Sequence, residues 1–209
     1  MRFERKYVVE HLSVAEICQL IKLHPASFRE AFPPRQINNI YFDTANYAAC
    51  QDNLKGIGLR KKIRLRWYNQ NSFANTDLQL EEKIKETDLG YKIIHQLPKA
   101  NLQGQLSDIL PVWLTESHQL IPTLFNQYNR RYYISANQKF RITIDTRLAF
   151  GTPNPSPTQQ SQYHLPNRII VELKYEESAA EFQDQITQYL PFRLSKNSKY
   201  IIGVTLITT

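Results

Sequence analysis

Basic side chains recur at every second position in one stretch of the sequence. Arg60, Lys62, Arg64 and Arg66 alternate with residues that are mostly apolar. A guanidinium group can donate two parallel hydrogen bonds to a phosphate or a carboxylate. The spacing therefore predicts a row of anion-binding groups, and phosphate is the anion that suits it best.

Four other segments alternate in the same way. Successive side chains of a strand point to opposite faces, so each segment separates into an apolar set and a charged set. The charged sets are Glu81, Lys83 and Lys85; Arg141, Asp145 and Arg147; Arg168, Glu172 and Lys174; and Arg2, Glu4 and Lys6. Carboxylates in such a site repel an anionic ligand unless a divalent cation lies between them. Mg²⁺ and Mn²⁺ prefer oxygen donors, so the candidate metal ligands are Glu4, Glu81, Asp145 and Glu172.

Two arrangements of these charged faces are open. In a half-buried antiparallel sheet the polar faces meet water. In a sheet closed into a barrel, with helices packed outside, the same faces line a tunnel. About ten like charges in a narrow lumen would be very unfavourable without compensating anions. The second arrangement therefore predicts a densely anionic ligand.

The elements that position these side chains are mostly strands. About eight strands and three helices are predicted, which makes an α+β protein dominated by an antiparallel sheet. The predicted strands are Arg2 to Val9, Asn38 to Asp43, Leu59 to Tyr68, Leu78 to Lys85, Asn129 to Ser135, Phe140 to Arg147, Arg168 to Glu176 and Ile201 to Ile207. The predicted helices run from Ser13 to about His24, within Leu106 to Asn126, and from Ser178 to Leu190. Residues 151–167, rich in proline and small polar residues, are predicted to form an exposed loop.

Composition narrows the class of protein. The 209 residues have a net charge of +7 and 42% hydrophobic residues, which predicts one folded domain rather than a disordered or fibrous chain. No apolar stretch is long enough to span a bilayer, and the N-terminus lacks the apolar segment of a signal peptide. The protein is therefore expected to be cytoplasmic. Cys18 and Cys50 have no zinc-site or redox spacing.

Eight stretches, in the same order along the chain, resemble one family. They are RFERKYVV, NNIYFDT, IRLRWY, EEKI, YNRRYY, FRITIDT, VELKY and SKNSKY. The chain is similar to the polyphosphate polymerase (VTC) domain of the triphosphate tunnel metalloenzymes, which are relatives of the CYTH phosphatases. The resemblance implies a closed antiparallel tunnel barrel, threaded by polyphosphate or by the triphosphate of a nucleotide.

The resemblance also implies roles for particular residues. The basic groups expected to act on phosphate during catalysis are Arg64, Arg66, Lys83 and Arg141, and further phosphate contacts are expected from Lys6, Tyr128, Arg130, Lys196 and Lys199. The alternation adds Lys62 and Lys174. Glu172 corresponds to the metal-coordinating glutamate of the family. The broader superfamily opens with alternating Glu, Glu and Lys, whereas this chain has Arg2, Glu4 and Lys6, which removes one potential ligand and fits the VTC branch better.

Several functions are compatible with these features. The first is metal-dependent phosphoryl transfer, with ATP-dependent polyphosphate synthesis as the reaction and Mn²⁺ or Mg²⁺ as the cofactor. The same site acting toward water would be a tripolyphosphatase or polyphosphatase, and a site without turnover would be a polyphosphate-binding module. Nucleic-acid binding is disfavoured because carboxylates within the site hinder phosphate backbones. Eukaryotic polymerases of this branch also have membrane helices, so coupling to a membrane would need a separate partner here.

Overall fold

The computed structural model of the chain describes residues 2–69, 77–87, 89–97, 110–111, 114, 119–153, 162–165 and 167–209. Its strands are β1 (Arg2–Val9), β2 (Arg29–Asp43), β3 (Leu59–Tyr68), β4 (Gln79–Glu86), β5 (Leu89–Gln96), β6 (Ile121–Ile134), β7 (Phe140–Gly151), β8 (Gln162–Leu165) and β9 (Ile169–Glu176). The helices are α1 (Val14–Lys22), α2 (Ala48–Lys55), α3 (Gln183–Thr187) and α4 (Lys199–Thr208), and a 3₁₀ segment (Glu177–Phe182) precedes α3.

The strands form one sheet. Their order is β6-β2-β3-β4-β5-β1-β9-β7-β8, and β6 also pairs with β7. Among the residues described, eight strands thus close in a ring, in which each strand is hydrogen-bonded to its two neighbours. Strand β8 is a ninth strand, and it pairs with β7. The registers of β1 with β9, β2 with β3, β3 with β4, β4 with β5, and β7 with β9 are all antiparallel. The predicted α+β class and its closed antiparallel sheet are confirmed.

The chain divides into two compact units. The first unit consists of Met1–Arg35, Tyr128–Leu148 and Leu165–Asn197, and the second consists of Gln36–Gln127, Ala149–His164 and Ser198–Thr209. The prediction of a single domain, 1–209, stays a prediction.

The core of the first unit lies between its strands and its helices. Apolar side chains of β1, β7 and β9, such as Tyr7, Ile142 and Val171, pack with Ile17 and Ile21 of α1. Helix α1 begins where the sequence predicts, since Ser13 and Glu16 form the capping box. Burial of the apolar set leaves the charged set of each strand on the opposite face.

The core of the second unit is built in the same way. The apolar side chains of β3, which are Ile63, Leu65 and Trp67, pack with Leu80 of β4 and Phe125 of β6. All five are buried. The opposite side of β3 and β4 therefore presents their charged side chains.

The C-terminal segment is helical rather than extended. Residues 201–207 were predicted as a strand, but they lie in α4, so that prediction is wrong. A short apolar run does not distinguish a strand from a buried helix by its pattern. Here the backbone N–H of Ile201 donates to the Ser198 hydroxyl, which caps the helix. Gly203 then allows close packing, because a Cβ atom at this position would lie 2.5 Å from Leu124 Cδ2.

Other boundaries differ from the predictions. Strands β2 and β6 begin earlier than predicted, at Arg29 and Ile121, and α2, β5 and β8 were not predicted. Residues 121–126 of the predicted helix within 106–126 belong to β6, and most of its other residues lie outside the described part. The predicted loop 151–167 contains strand β8, and its residues 154–161 and 166 lie outside the described part. The third predicted helix is a 3₁₀ segment followed by the short α3.

None of the helices in the described part of the chain is both long and apolar enough to cross a membrane.

Candidate functional site

The charged side of β3, β4 and β5 forms a basic face in the second unit. The register places side chains in rows across these strands, with Lys62 opposite Lys83 and Lys83 opposite Lys92. Along this face the described residues with charged side chains are Arg60, Lys62, Arg64, Arg66, Glu81, Lys83, Lys85 and Lys92. One carboxylate therefore stands among seven cationic groups. We refer to these eight residues as the basic face.

The carboxylate of Glu81 lies at the centre of a group of cations. Its Oε2 accepts from Arg64 Nε at 2.7 Å, and its Oε1 accepts from Lys92 Nζ at 2.7 Å. Arg66 Nη1 is 3.7 Å from Glu81 Oε1. Burial by itself raises the pKa of Glu81, but Arg64, Arg66 and Lys92 outweigh it and hold the pKa well below its usual range. Glu81 is therefore ionised and orients its three cations.

Two side chains of strand β2 accept hydrogen bonds from Arg64 and Arg66. Arg66 Nε donates to Asn39 Oδ1 at 2.9 Å, and Arg64 Nη1 donates to the Tyr41 hydroxyl at 3.3 Å. Asn39 is itself buried and donates to Asn126 Oδ1 at 3.1 Å. These contacts restrict the guanidinium groups to one orientation, which is what a preorganised anion site needs.

The beginning of α4 lies beside this face. Lys62 Nζ donates to the Ser198 hydroxyl at 2.9 Å, and Lys199, at the first position of α4, is buried. The Tyr200 hydroxyl donates to Asp43 Oδ2 at 2.5 Å, and burial together with this hydrogen bond raises the pKa of Tyr200. The segment that resembles the family motif SKNSKY is thus attached to β2 and β3 through Asp43 and Lys62.

The first unit contains a second charged cluster, which we call the carboxylate cluster: Glu4, Arg130, Asp145, Glu172 and Lys174. Arg130 donates from Nε to Asp145 Oδ1 at 2.5 Å and from Nη2 to Asp145 Oδ2 at 2.6 Å. Its Nη2 also donates to Glu172 Oε2 at 3.2 Å. Burial lowers the pKa of Arg130, but Asp145, Tyr128 and Glu172 raise it well above its usual value. Arg130, Asp145 and Glu172 are all buried, so this part of the charged face does not meet water.

Glu172 has contacts besides the one with Arg130. Its Oε2 accepts from Lys174 Nζ at 2.7 Å and from the Thr143 hydroxyl at 3.4 Å. Lys174 Nζ is also 3.9 Å from Glu4 Oε1, and Glu4 lies directly across from Lys174 on β1. The ammonium group of Lys174 therefore lies between two carboxylates, as a bound cation would.

The four candidate metal ligands differ in how well they suit a divalent cation. Both oxygens of Asp145 accept from Arg130, and both oxygens of Glu81 accept from cationic groups. Glu172 and Glu4 instead share a lysine, and Mg²⁺ is commonly held by one or two carboxylates together with water and substrate phosphates. These two carboxylates fit such an ion. No group of three or more His, Cys, Asp or Glu side chains is arranged around a metal position in the described residues.

The remaining predicted site residues lie in the first unit. Lys6 Nζ donates to the Asn197 carbonyl at 3.0 Å and is 3.8 Å from Glu4 Oε1. The ring of Tyr128 lies under the Arg130 guanidinium, with 5.2 Å between Cζ and the ring centroid. Arg141 is exposed and stands opposite Lys174 in the register, and Lys196 is exposed.

Three residues of this site were not found from the sequence. Lys92 was missed because β5, in which apolar and polar residues do not alternate strictly, was not predicted. Asn39 and Tyr41 lie in a predicted strand, and their alternation along NNIYFD could have placed them on the charged face.

A cavity of about 540 Å³ lies elsewhere, on the apolar side of β7 in the first unit. It is lined by residues such as Phe140, Phe182 and Tyr189, and Lys139 is the charged residue among the described residues that line it. Its lining does not resemble either charged cluster.

Comparison with known proteins identifies related sequences and folds. A family model described as the VTC domain matches residues 1–208. A solved structure from Vibrio parahaemolyticus, described as a candidate adenylate cyclase, is similar with a TM-score of 0.57 and 14% identity, over 96% of this chain and 97% of that chain. A protein from Pyrococcus horikoshii is similar with a TM-score of 0.53 and 11% identity, over 97% of each chain. No protein among the curated ones matches the sequence.

Proposed function

Because the chain belongs to the VTC domain family, we propose that it binds polyphosphate or a triphosphate and catalyses metal-dependent phosphoryl transfer, with ATP-dependent polyphosphate synthesis as the reaction. Family membership supports a ligand of the polyphosphate or triphosphate type. The transfer reaction and its direction go beyond family membership and are our proposal.

The observation on which the proposal depends is the charge of the basic face. Among the described residues, seven cationic side chains share one side of three neighbouring strands with one carboxylate, Glu81. Like charges directly opposite each other on paired strands destabilise a sheet. A chain of phosphates supplies many negative charges in a row, and it therefore offsets this repulsion along the whole face.

The proposed mechanism is positioning and neutralisation of charge. Phosphoryl transfer needs little covalent help from a protein, so fixed donors around the phosphoryl group supply most of the acceleration. Arg64 and Arg66 are held by Glu81, Asn39 and Tyr41, which keeps their guanidinium groups oriented before a ligand arrives. We propose that Lys83 and Arg141 supply further positive charge to the reacting phosphates, and that Lys6, Lys62, Tyr128, Arg130, Lys174, Lys196 and Lys199 bind phosphates of the substrate.

Glu172 and Glu4 are the residues that would hold Mg²⁺ or Mn²⁺. When bound, such an ion neutralises part of the negative charge of the transferring phosphoryl group. Arg130 Nη2 and Lys174 Nζ both contact Glu172 Oε2. Glu81 and Asp145, also predicted as ligands, would act in this mechanism as partners of Arg64 and Arg130.

A binding module without turnover is the second candidate. Arg2 stands where the broader superfamily has a glutamate. Both oxygens of Asp145 accept from Arg130, and the two oxygens of Glu81 accept from Arg64 and Lys92. These features reduce the number of carboxylates that could hold a metal ion. Hydrolysis of tripolyphosphate or polyphosphate is the third candidate, since water could replace the phosphate acceptor.

The distinguishing experiment measures turnover and binding in the same protein samples. Labelled ATP and tripolyphosphate are incubated with Mg²⁺ or Mn²⁺, and products are separated into polyphosphate and free phosphate, for wild type, Glu172→Gln and the exposed control Glu181→Gln. The proposal predicts metal-dependent polyphosphate formation that Glu172→Gln abolishes and Glu181→Gln preserves. Free phosphate as the sole product would support hydrolysis, and polyphosphate binding without any product would support the binding module.

A further inference from the structure

One end of the basic face lies two rows away from Glu81. There the register places Arg60 opposite Lys85, and Gly90 occupies the position opposite Lys85 on β5. The next row contains Lys62, Lys83 and Lys92. No carboxylate shares either row among the described residues, and opposed like charges repel. This end of the face therefore has a local excess of positive charge.

Arg60 is held differently from the other arginines of its strand. Arg64 and Arg66 donate from Nε to Glu81 and Asn39, respectively. The Nε atom of Arg60 is buried and has no hydrogen-bond partner within the described part of the chain. A buried donor without an acceptor is unfavourable, and an anion that reached Arg60 would supply the missing acceptor. The side chain itself is half-buried, so part of it remains accessible.

The spacing along β3 determines how long a ligand must be to reach Arg60. Two residues of a strand span about 6.7 Å, so Arg60 lies about 13 Å from Arg64 and about 20 Å from Arg66 along the strand. A triphosphate contains only two P–O–P links, and it is too short to join the ends of this row. A longer linear polyphosphate follows the row and meets each basic residue in turn.

We propose that Arg60 and Lys85 form an additional phosphate-binding position, which engages a polyphosphate chain that is bound at Arg64 and is longer than a triphosphate. The inference rests on the proposed function, because it requires that the basic face binds phosphates. It adds selectivity for chain length: this position strengthens binding of long polyphosphate and leaves binding of tripolyphosphate unchanged.

The test compares two ligands and four proteins. Dissociation constants for tripolyphosphate and for a long-chain polyphosphate of defined length are measured by calorimetry at one ionic strength. The proteins are wild type, Arg60→Gln, Lys85→Gln and the control Lys55→Gln, which removes an exposed charge from α2. Melting temperatures establish that each variant is folded. We expect Arg60→Gln to weaken long-chain binding about tenfold, since one charge-assisted hydrogen bond corresponds to about that factor.

The outcomes separate this inference from the proposed function. The additional position is supported if Arg60→Gln and Lys85→Gln lose affinity for long-chain polyphosphate while their affinity for tripolyphosphate stays within twofold of wild type. The affinities of Lys55→Gln should also stay within twofold of wild type. An equal loss for both ligands, or no loss for either, overturns it while leaving phosphate binding intact. If wild type binds neither ligand, the proposed function fails together with the inference.

Discussion

Arg130 and Asp145 form a buried pair in which two parallel hydrogen bonds, at 2.5 and 2.6 Å, join the guanidinium group to the carboxylate. Both residues are buried, and the same Nη2 of Arg130 reaches Glu172. Asp145 therefore fixes the orientation of an arginine that contacts the proposed metal ligand. Asp145 thus contacts Arg130, and Arg130 in turn contacts Glu172.

Asp145→Asn tests this pair. The substitution keeps the shape of the side chain and removes its charge, so Arg130 retains Glu172 but loses its main partner. Removing one member of a buried ion pair costs about 3–5 kcal/mol, because the other charge stays buried. We expect a decrease of this size in the free energy of unfolding measured with urea. A change within about 0.5 kcal/mol, the range of surface substitutions, would show that Asp145 does not support Arg130.

Glu81 makes the stability of the protein depend on pH. Its pKa in the folded state is lowered from its ordinary value of 4.5, so the ionised form is bound more favourably in the folded protein than in the unfolded chain. The resulting stability is fully present above about pH 4.5 and is lost as the pH falls toward the folded-state pKa. The free energy of unfolding should therefore fall on acidification below pH 4.5.

Comparison with Glu81→Gln isolates this contribution. The difference in unfolding free energy between wild type and the variant should be largest near neutral pH and should shrink as the pH falls from 4.5 to 3. Urea unfolding at several pH values provides the measurement. A difference that is the same at neutral and acidic pH would contradict the assignment of this dependence to Glu81.

Gly203 permits α4 to pack closely in the second unit. A Cβ atom would lie 2.5 Å from Leu124 Cδ2 and 2.6 Å from Phe150 Cδ1. Gly203→Ala should destabilise the protein by about 1–3 kcal/mol through overpacking, although alanine favours a helix by about 1 kcal/mol relative to glycine. Thr205→Ala, at an exposed position of the same helix, is the control. Melting of both variants at or above the wild-type temperature would contradict close packing at Gly203.

The sequence predicts those parts of the fold that depend on local alternation. Strands β1 and β3 have their predicted bounds, because charged side chains recur at every second position in each, as Arg2, Glu4 and Lys6 and as Arg60, Lys62, Arg64 and Arg66. Strand β5 lacks this strict alternation, and the apolar segment 201–207 suits a strand or a buried helix equally well. The helical state of segment 201–207 depends on a cap at Ser198 and on close packing at Gly203. Packing depends on residues distant in sequence, so the local pattern does not predict it.

The same distinction applies to the candidate site. The alternation placed Arg64 and Glu81 on one face, and the register confirms that they stand opposite each other. Contacts between strands distant in sequence, such as Arg130 with Asp145 and Glu172, depend on register and side-chain orientation. The sequence alone therefore predicts Asp145 as a metal ligand without indicating that Arg130 contacts both of its oxygens.

The central claim is that the basic face of β3–β5 binds polyphosphate, and one pair of variants tests it directly. Arg64→Gln removes a cation from this face, and Lys61→Gln removes a cation from the opposite face of the same strand, next to Glu82. The affinity for polyphosphate is measured by calorimetry for both variants and wild type at the same salt concentration, since screening weakens such contacts.

We predict that Arg64→Gln raises the dissociation constant about tenfold or more, as expected for loss of a charge-assisted hydrogen bond of about 1.5–3 kcal/mol. Lys61→Gln should stay within about twofold of wild type, because its side chain lies on the other face of β3. Equal losses in the two variants, or no binding of polyphosphate by the wild-type protein, would contradict the account.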